Sequence, residues 1–467
     1  MSHIKKILSS KASSLLVLCA LCMMFIVGCV PQGPKLNLQA QKNIDNVSVQ
    51  SEAAVGWSVN EDPKAAVAES LSMARGRLGG KAPTFAYVVF TARADDTIVD
   101  EVRSQLGDGV KMVGITSKLG VMTNDGLHVG ANGSIAILLV AAKDITFGVG
   151  EVDINNFSTP QEAGKAAMKM SIADAKNQSG QPDIVLYIGT TRRGDEMRIL
   201  DGIAEVIPST VPVIGGNSND DKIAGLWKQI TSKKTYETGL ILVSIYTNRS
   251  IGWGFDTGFK LTDNKGIVTK SDGLLISEID NRPALDVYNE WTDGEFYKKL
   301  DAGEFNDANG NISFDKIKTF TLLNPIARVL RTQDGRIGHY TISPIPNSDD
   351  IKNKQIRVFA EIQQGWEIAL YKGTWQTHMN KAEIVPKNAL DRAGLSQGKG
   401  IFSIIQFCNG LRSQIPPEEF EKIPAITDDA LGGIPFIGAV TSGEQGPLPE
   451  VGRNVNANLI ECVMVAG

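Results

Sequence analysis

The sequence predicts an α/β (or α+β) protein: repeated strand-helix-strand-helix-strand-strand units forming mixed sheets covered by helices. Three observations predict it. The apolar run at residues 85–90 is continuous rather than alternating, as expected for a strand covered on both faces, and mainly apolar stretches at 183–188 and 401–407 read as its buried counterparts. Stretches with apolar residues at helical spacing lie between them. A short strand running into small polar residues occurs three times, at residues 112–117, 211–221 and 435–444. Recurrence of one order of elements is the signature of a repeat architecture.

In the first unit an extended stretch at residues 55–59 precedes Asp62-Pro63, an N-cap followed by a first-turn proline. Val67, Leu71, Ala74 and Leu78 share the buried face of that helix, and Gly79-Gly80 ends it. The 85–90 strand follows, then a polar loop and a second helix with Ile98, Val99, Val102 and Leu106 inward. The strand at 112–114 and an apolar strand over 134–142 close the unit. The second unit repeats this with a strand at 147–152 and a capping box at Thr159-Pro-Gln-Glu162. Ala163, Ala166, Ala167 and Met170 form the apolar stripe. The 183–188 strand, the polar loop 189–195, a helix marked by Met197, Leu200, Ile203 and Ile207, the 211–221 motif and a strand over 239–246 complete it. The third unit is more divergent. Residues 356–360 are expected to open it, a helical stretch over 377–393 to break or kink at Pro386, and strands at 401–407, 435–444 and 457–465 to follow. A strand-rich connecting region, 251–346, separates it from the second unit. Gly252 and Gly254 there imply bulges or close backbone approach.

The 467 residues, 42% hydrophobic and 21% charged, suffice for two or three ordinary domains. Net charge is −5 with no basic block, which argues against nucleic acid as a partner. Lys5, Lys6 and Lys11 form a positive n-region before an apolar stretch from Leu15 to Val27. Removing them takes the chain near −8. The following Ile26-Val27-Gly28-Cys29 resembles a bacterial lipobox, which implies lipidation at Cys29 and membrane attachment. Residues 1–28 are then a signal peptide and 29–49 a tether containing Pro31 and Pro34. Val30 is not aspartate, so the usual sorting pattern implies the outer membrane, facing the periplasm. Of the remaining cysteines, Cys408 and Cys462 are either a disulfide, allowed outside the inner membrane, or buried thiols.

Metal and cofactor chemistry finds no support. His128, His339 and His378 are far apart, and no paired Cys-x-x-Cys spacing exists. If Gly310 is the sixth position of a calcium loop, Phe305 and Lys316 occupy the first and twelfth, where acidic ligands belong. Ser442 does not sit in a nucleophile elbow, and Cys408 has no histidine nearby in sequence. A ligand crevice is the stronger expectation, because in parallel α/β sheets ligands bind where strands end. Arg192 or Arg193 would fork onto a carboxylate, and Asp195 or Asp220 would take an ammonium, a pairing suited to an amino acid. Asn217 lies beside them; Arg412, Ser442 and Glu444 form the equivalent set in the third unit.

Five motifs in order resemble the FIST family, a paired sensory module. They are Val113-Gly-Ile-Thr-Ser117, Pro212-Val-Ile-Gly-Gly-Asn217, Asp280-Asn-Arg-Pro-Ala-Leu-Asp-Val-Tyr288, Phe407-Cys-Asn-Gly-Leu-Arg412 and the stretch from Pro435 to Gly446. The resemblance implies a FIST N-like domain over 50–250, a FIST C-like unit over 347–467, and sensing of small ligands such as amino acids. No kinase, cyclase or methyl-accepting segment is evident, so an unidentified partner would relay a signal. The expectation is a lipid-anchored envelope protein that binds a small polar metabolite. The alternatives are a non-catalytic interaction or assembly lipoprotein and a hydrolase using Ser442 or Cys408.

Overall fold

Strands that are apolar on both faces need cover on both sides, and the fold supplies it by wrapping three similar sheets around one core. The computed structural model describes residues 52–92, 97–176, 179–191 and 194–467. The signal peptide, the tether with Cys29, and Arg192 and Arg193 therefore lie outside the described residues. Everything described falls in one unit, Ser51–Gly467.

The first sheet runs Ala53–Ser58, Ile135–Val140, Phe85–Thr91, Lys111–Ser117, then the hairpin Gln229–Thr231 and Thr235–Tyr236. The second runs Ile145–Asp153, Gly239–Thr247, Ile184–Gly189, Val213–Asn217, then the hairpin Glu444–Leu448 and Arg453–Ala457. The third runs Ile251–Asp256, Glu461–Ala466, Phe402–Cys408, Phe436–Thr441, then the hairpin Val121–Thr123 and Gly126–His128. Each sheet has one parallel pair, between its third and fourth strands, and every other pairing is antiparallel. In each, four strands come from one repeat and the terminal hairpin from another. The first repeat lends its hairpin to the third sheet, the second to the first, and the third to the second. The exchange closes a ring.

Alternation along each strand divides the two faces. Tyr87, Leu186 and Ile404 point into one shared core. Their neighbours Val88, Val185 and Ile405 pack under each sheet's own helices. The first strand of each repeat meets a helix at backbone distance. A Cβ added at Gly56, Gly150 or Gly252 would lie about 2 Å from the carbonyl oxygens of Ser70, Ala167 and Ala389, far inside van der Waals contact. Glycine is required there by space.

Several expectations are corrected. The third repeat opens at Ile251–Asp256, which pairs with Glu461–Ala466; residues 356–360 do not open it. An insertion follows that first strand and builds a separate sheet, with Lys260–Asp272 and Glu367–Lys372 at its middle. Helix continuity breaks at Asn380, between Trp375–Met379 and Lys381–Ala393, while Pro386 sits inside the second helix. That helix packs on Ile251–Asp256 and on Ile423–Leu431, and this packing tolerates the missing donor. Met170 is exposed; Gly164 and Met168 complete the buried stripe instead. Of the two alternatives for Cys408 and Cys462, buried thiols without a disulfide is the one observed. Among the described residues no helix is long and apolar enough to cross a membrane.

Candidate functional site

The three polar strand ends converge. Asn219 N–H donates to the Thr116 carbonyl at 3.0 Å, and Lys118 N–H to the Val440 carbonyl at 3.1 Å. Val440 N–H donates to Ser117 Oγ at 2.8 Å. Asn217 N–H reaches the Gly443 carbonyl and Ser442 N–H the Asn217 carbonyl, each at 3.1 Å. Asn219 Nδ2 donates to Ser442 Oγ at 2.7 Å. Each strand end thus satisfies the otherwise orphaned backbone groups of its neighbours.

The meeting point is sealed by these hydrogen bonds, and the open space lies beside it. A hollow of about 270 Å³ is bounded by Ser442 and Gly443, by Cys408-Asn409-Gly410 after the third-repeat strand, and by Thr191 after the second-repeat strand. Trp227, Phe314 and Phe359 give it an aromatic wall, the last two from the insertion. None of its described lining residues is acidic, and Lys318 is among them. Lys118 and Arg412 are close enough for Coulombic coupling. Burial, with the nearby Lys318 and Arg412 charges, holds Lys118 below the ordinary lysine range, against the pull of Asp220 and Asp221. Burial also lowers Arg412, whose guanidinium covers the Phe420 ring at 4.8 Å and whose buried Nε has no partner. Among the described residues neither Lys118 nor Arg412 has a carboxylate partner.

The residues picked out by sequence divide. Ser442 lines the hollow; Arg412 does not, although Gly410 and Ser413 on either side of it in the chain do. Glu444 is fully buried behind Cys408; Thr441 Oγ1 donates to it at 2.9 Å, and its Oε2 has no partner. Burial pushes this carboxyl up to about 8, against the lowering effects of Cys408, Thr441 and Lys381. Asn217 is buried beside Glu196 and does not line the hollow. Asp195 is half-buried at the start of the Glu196–Ala204 helix, away from the lining. Asp220 does not offer a free carboxylate to an ammonium: it accepts backbone N–H groups from Lys222, Ala224, Gly225 and Leu226 at 2.9–3.0 Å. A carboxylate among several backbone donors is an Asx-type brace for the chain.

Sequence reasoning missed Lys118, Lys318, Trp227 and the insertion's aromatics. Lys118 carried a signal, since it directly follows the first of the three strand ends. Lys318, Phe314 and Phe359 carried none, because they belong to no repeat.

Behind the hollow lies a group of buried charges. Lys381 donates from Nζ to the Leu459 carbonyl at 2.9 Å, and burial brings it down to about 7. Both carboxylate oxygens of Glu461 lack partners, and burial raises it to about 8, against Lys381. Cys408 accepts from Leu459 N–H at 3.4 Å, and burial together with Glu444 pushes its thiol up to about 12. It stays protonated at neutral pH and is a poor nucleophile. Among the described residues no group of three His, Cys, Asp or Glu side chains could hold a metal.

Comparison with known families matches the FIST N domain over residues 84–282 and the FIST C domain over residues 284–447. No curated protein matches the sequence. Similar solved structures include a cyanuric acid hydrolase from A. caulinodans, at 10% identity over 89% of this chain and 99% of that one, TM-score 0.36. Another cyanuric acid hydrolase is similar at 11% identity over 90% and 100%, TM-score 0.29. PurLQS from Thermotoga maritima is similar at 11% identity over 89% and 72%, TM-score 0.21. These overlaps are too loose to carry an argument.

Proposed function

From the premise that this chain belongs to the FIST family, whose domains are sensory and bind ligands, we propose that it senses a small carboxylic acid with an apolar body. The observation that carries this reading is the hollow beside the joined strand ends. Its lining combines an aromatic wall with Lys318 and no described acidic residue, and Lys118, which feels the charges of both Lys318 and Arg412, lies near enough to add to the positive field. Apolar walls with a few convergent polar groups are the usual composition of a ligand pocket. A carboxylate offsets this positive charge, which Asp220 and Asp221 only partly balance at Lys118. Large apolar amino acids share this chemistry with their amine-free analogues. Occupation of Asp220 by backbone donors favours the analogues, because an ammonium would lack its expected partner.

The test is calorimetric titration of the Ser51–Gly467 body with phenylalanine, leucine, 3-phenylpropanoate and 4-methylpentanoate. Saturable binding that weakens at least about tenfold in Lys118→Ala and Arg412→Ala, roughly 1.4 kcal/mol each, supports the reading. Equal affinity in both variants overturns it. Tighter binding of the amino acids than of the amine-free acids overturns the preference for the latter.

The same proposal places the protein in the cell envelope, lipid-anchored through Cys29 and facing the periplasm of the outer membrane, with a separate partner relaying the signal. Its support is the Ile26-Val27-Gly28-Cys29 sequence after a positive, then apolar, leader. Cys29→Ser is expected to move the protein from the membrane to the soluble fraction. Persistence at the membrane would refute lipid attachment at that residue.

A further inference from the structure

A second opening lies where the insertion meets the second repeat. This cleft has a volume of about 600 Å³, within the range of small-molecule sites. Arg198, Asp201 and Arg453 line it from the repeats, and Arg328, Tyr340 and Trp366 from the insertion. Two of its arginines are already matched: Arg453 to Asp201 at 2.7 Å and Arg198 to Glu361 at 3.5 Å. Arg328 is not. Its Nη1 donates to the backbone carbonyls of Val329 and Glu367, its guanidinium lies 4.3 Å from the Trp366 ring centre, and its buried Nε has no partner. Among the described residues no carboxylate pairs with it, and the Tyr340 hydroxyl beside it makes no hydrogen bond.

A half-buried guanidinium without a counter-charge is costly unless something supplies one. Burial disfavours the charged form of Arg328, and the neighbouring Arg453 charge adds to this, against Tyr340 and Glu367. With Nη1 engaged and Nε buried, Nη2 is the donor left for an oxyanion, a charge-assisted hydrogen bond. The adjoining surface mixes Met197, Leu330 and Trp366 with Gln161 and Gln363, whose Nε2 groups already donate to Glu205 and Glu361 and which offer their amide oxygens as acceptors.

We propose that this cleft is a second binding site, for a hydroxylated polar metabolite headed by one carboxylate or phosphate. The oxyanion sits on Arg328 and the Tyr340 hydroxyl, and the amides bind the body. The chemistry differs from that of the aromatic hollow, so the two sites take different ligands. Because the walls come from both the insertion and the second repeat, an occupant bridges them.

The test uses the Ser51–Gly467 body with inorganic phosphate, gluconate and glucose 6-phosphate as probes, read by calorimetry. Saturable binding of gluconate or glucose 6-phosphate is expected. The stronger of the two identifies the headgroup, and inorganic phosphate alone is expected to bind more weakly than glucose 6-phosphate. Arg328→Gln is expected to lose at least about tenfold in affinity. If that variant fails to fold, Tyr340→Phe, which deletes only the hydroxyl, is expected to weaken binding. The Lys118→Ala and Arg412→Ala variants are expected to bind these probes like the wild type, which separates this site from the hollow. Absence of saturable binding by all three probes, or affinity unchanged in both Arg328→Gln and Tyr340→Phe, overturns the proposal.

Discussion

Replacing Asp220 by asparagine separates a loop brace from a ligand site. The carboxylate is 1% exposed; Oδ2 accepts from Ala224, Gly225 and Leu226, and Oδ1 from Lys222 and Ala224. Asparagine keeps one acceptor oxygen and turns an NH₂ group toward donors. Two or three charge-assisted hydrogen bonds are lost, worth roughly 1.5–3 kcal/mol each when fully desolvated. Residues 221–226 are exposed, so water recovers part of that, leaving about 1 kcal/mol per bond and about 3 kcal/mol in all. For a body the size of Ser51–Gly467, an unfolding entropy of about 2.1 cal/mol/K per residue gives about 0.9 kcal/mol/K. The melting temperature should fall by about 3 °C. Calorimetric melting checks the shift, and titration with 3-phenylpropanoate well below the melt checks binding. Unchanged melting with abolished binding would refute the reasoning and return Asp220 to the ligand.

Glu461→Gln tests the buried charges. The folded carboxyl is raised to about 8 from 4.5, so its contribution to stability is most favourable below 4.5 and is lost as pH rises to about 8. The loss is at most about 1.36 kcal/mol per pH unit. Denaturant titrations across that window should therefore show the variant gaining on the wild type as pH rises; a constant difference sinks the idea. Lys381, lowered to about 7 from 10.5, acts in the opposite sense: its burial cost is full below 7 and relieved as pH rises toward 10.5. Gly56→Ala sets a Cβ 2.0 Å from the Ser70 carbonyl oxygen, backbone that cannot swing away. It should cost about 3 kcal/mol or more, and a melt identical to the wild type would show that helix and strand do not meet so closely.

The repeated order of elements was legible because it is written locally. Apolar runs and the N-caps Asp62 and Thr159, each before a first-turn proline, concern neighbouring residues. The FIST motifs were equally local, as were the three polar strand ends. Their convergence was expected at strand ends, but the three strands lie in three different sheets, so it is the joining of those sheets that brings the ends together. What sequence placed wrongly was the start of the third repeat. Its opening strand, Ile251–Asp256, pairs with Glu461–Ala466 at the far end of the chain, and no local pattern records such a partner.

Tertiary structure alone decided the ring of exchanged hairpins. An edge strand exposes donors and acceptors that any strand of suitable length can satisfy, so composition does not say which repeat's hairpin Val213–Asn217 receives. It also decided the site. Asp220 reads as a free acid in sequence, yet the following chain turns back and spends its carboxylate on backbone N–H groups. Lys118 and Lys318 are separated by long stretches of chain, and the insertion brings the Lys318 charge within reach of Lys118. Local periodicity fixes which residues face a core. Which cations share a rim depends on long-range packing, and that is why the chemistry of the hollow appeared only with the fold.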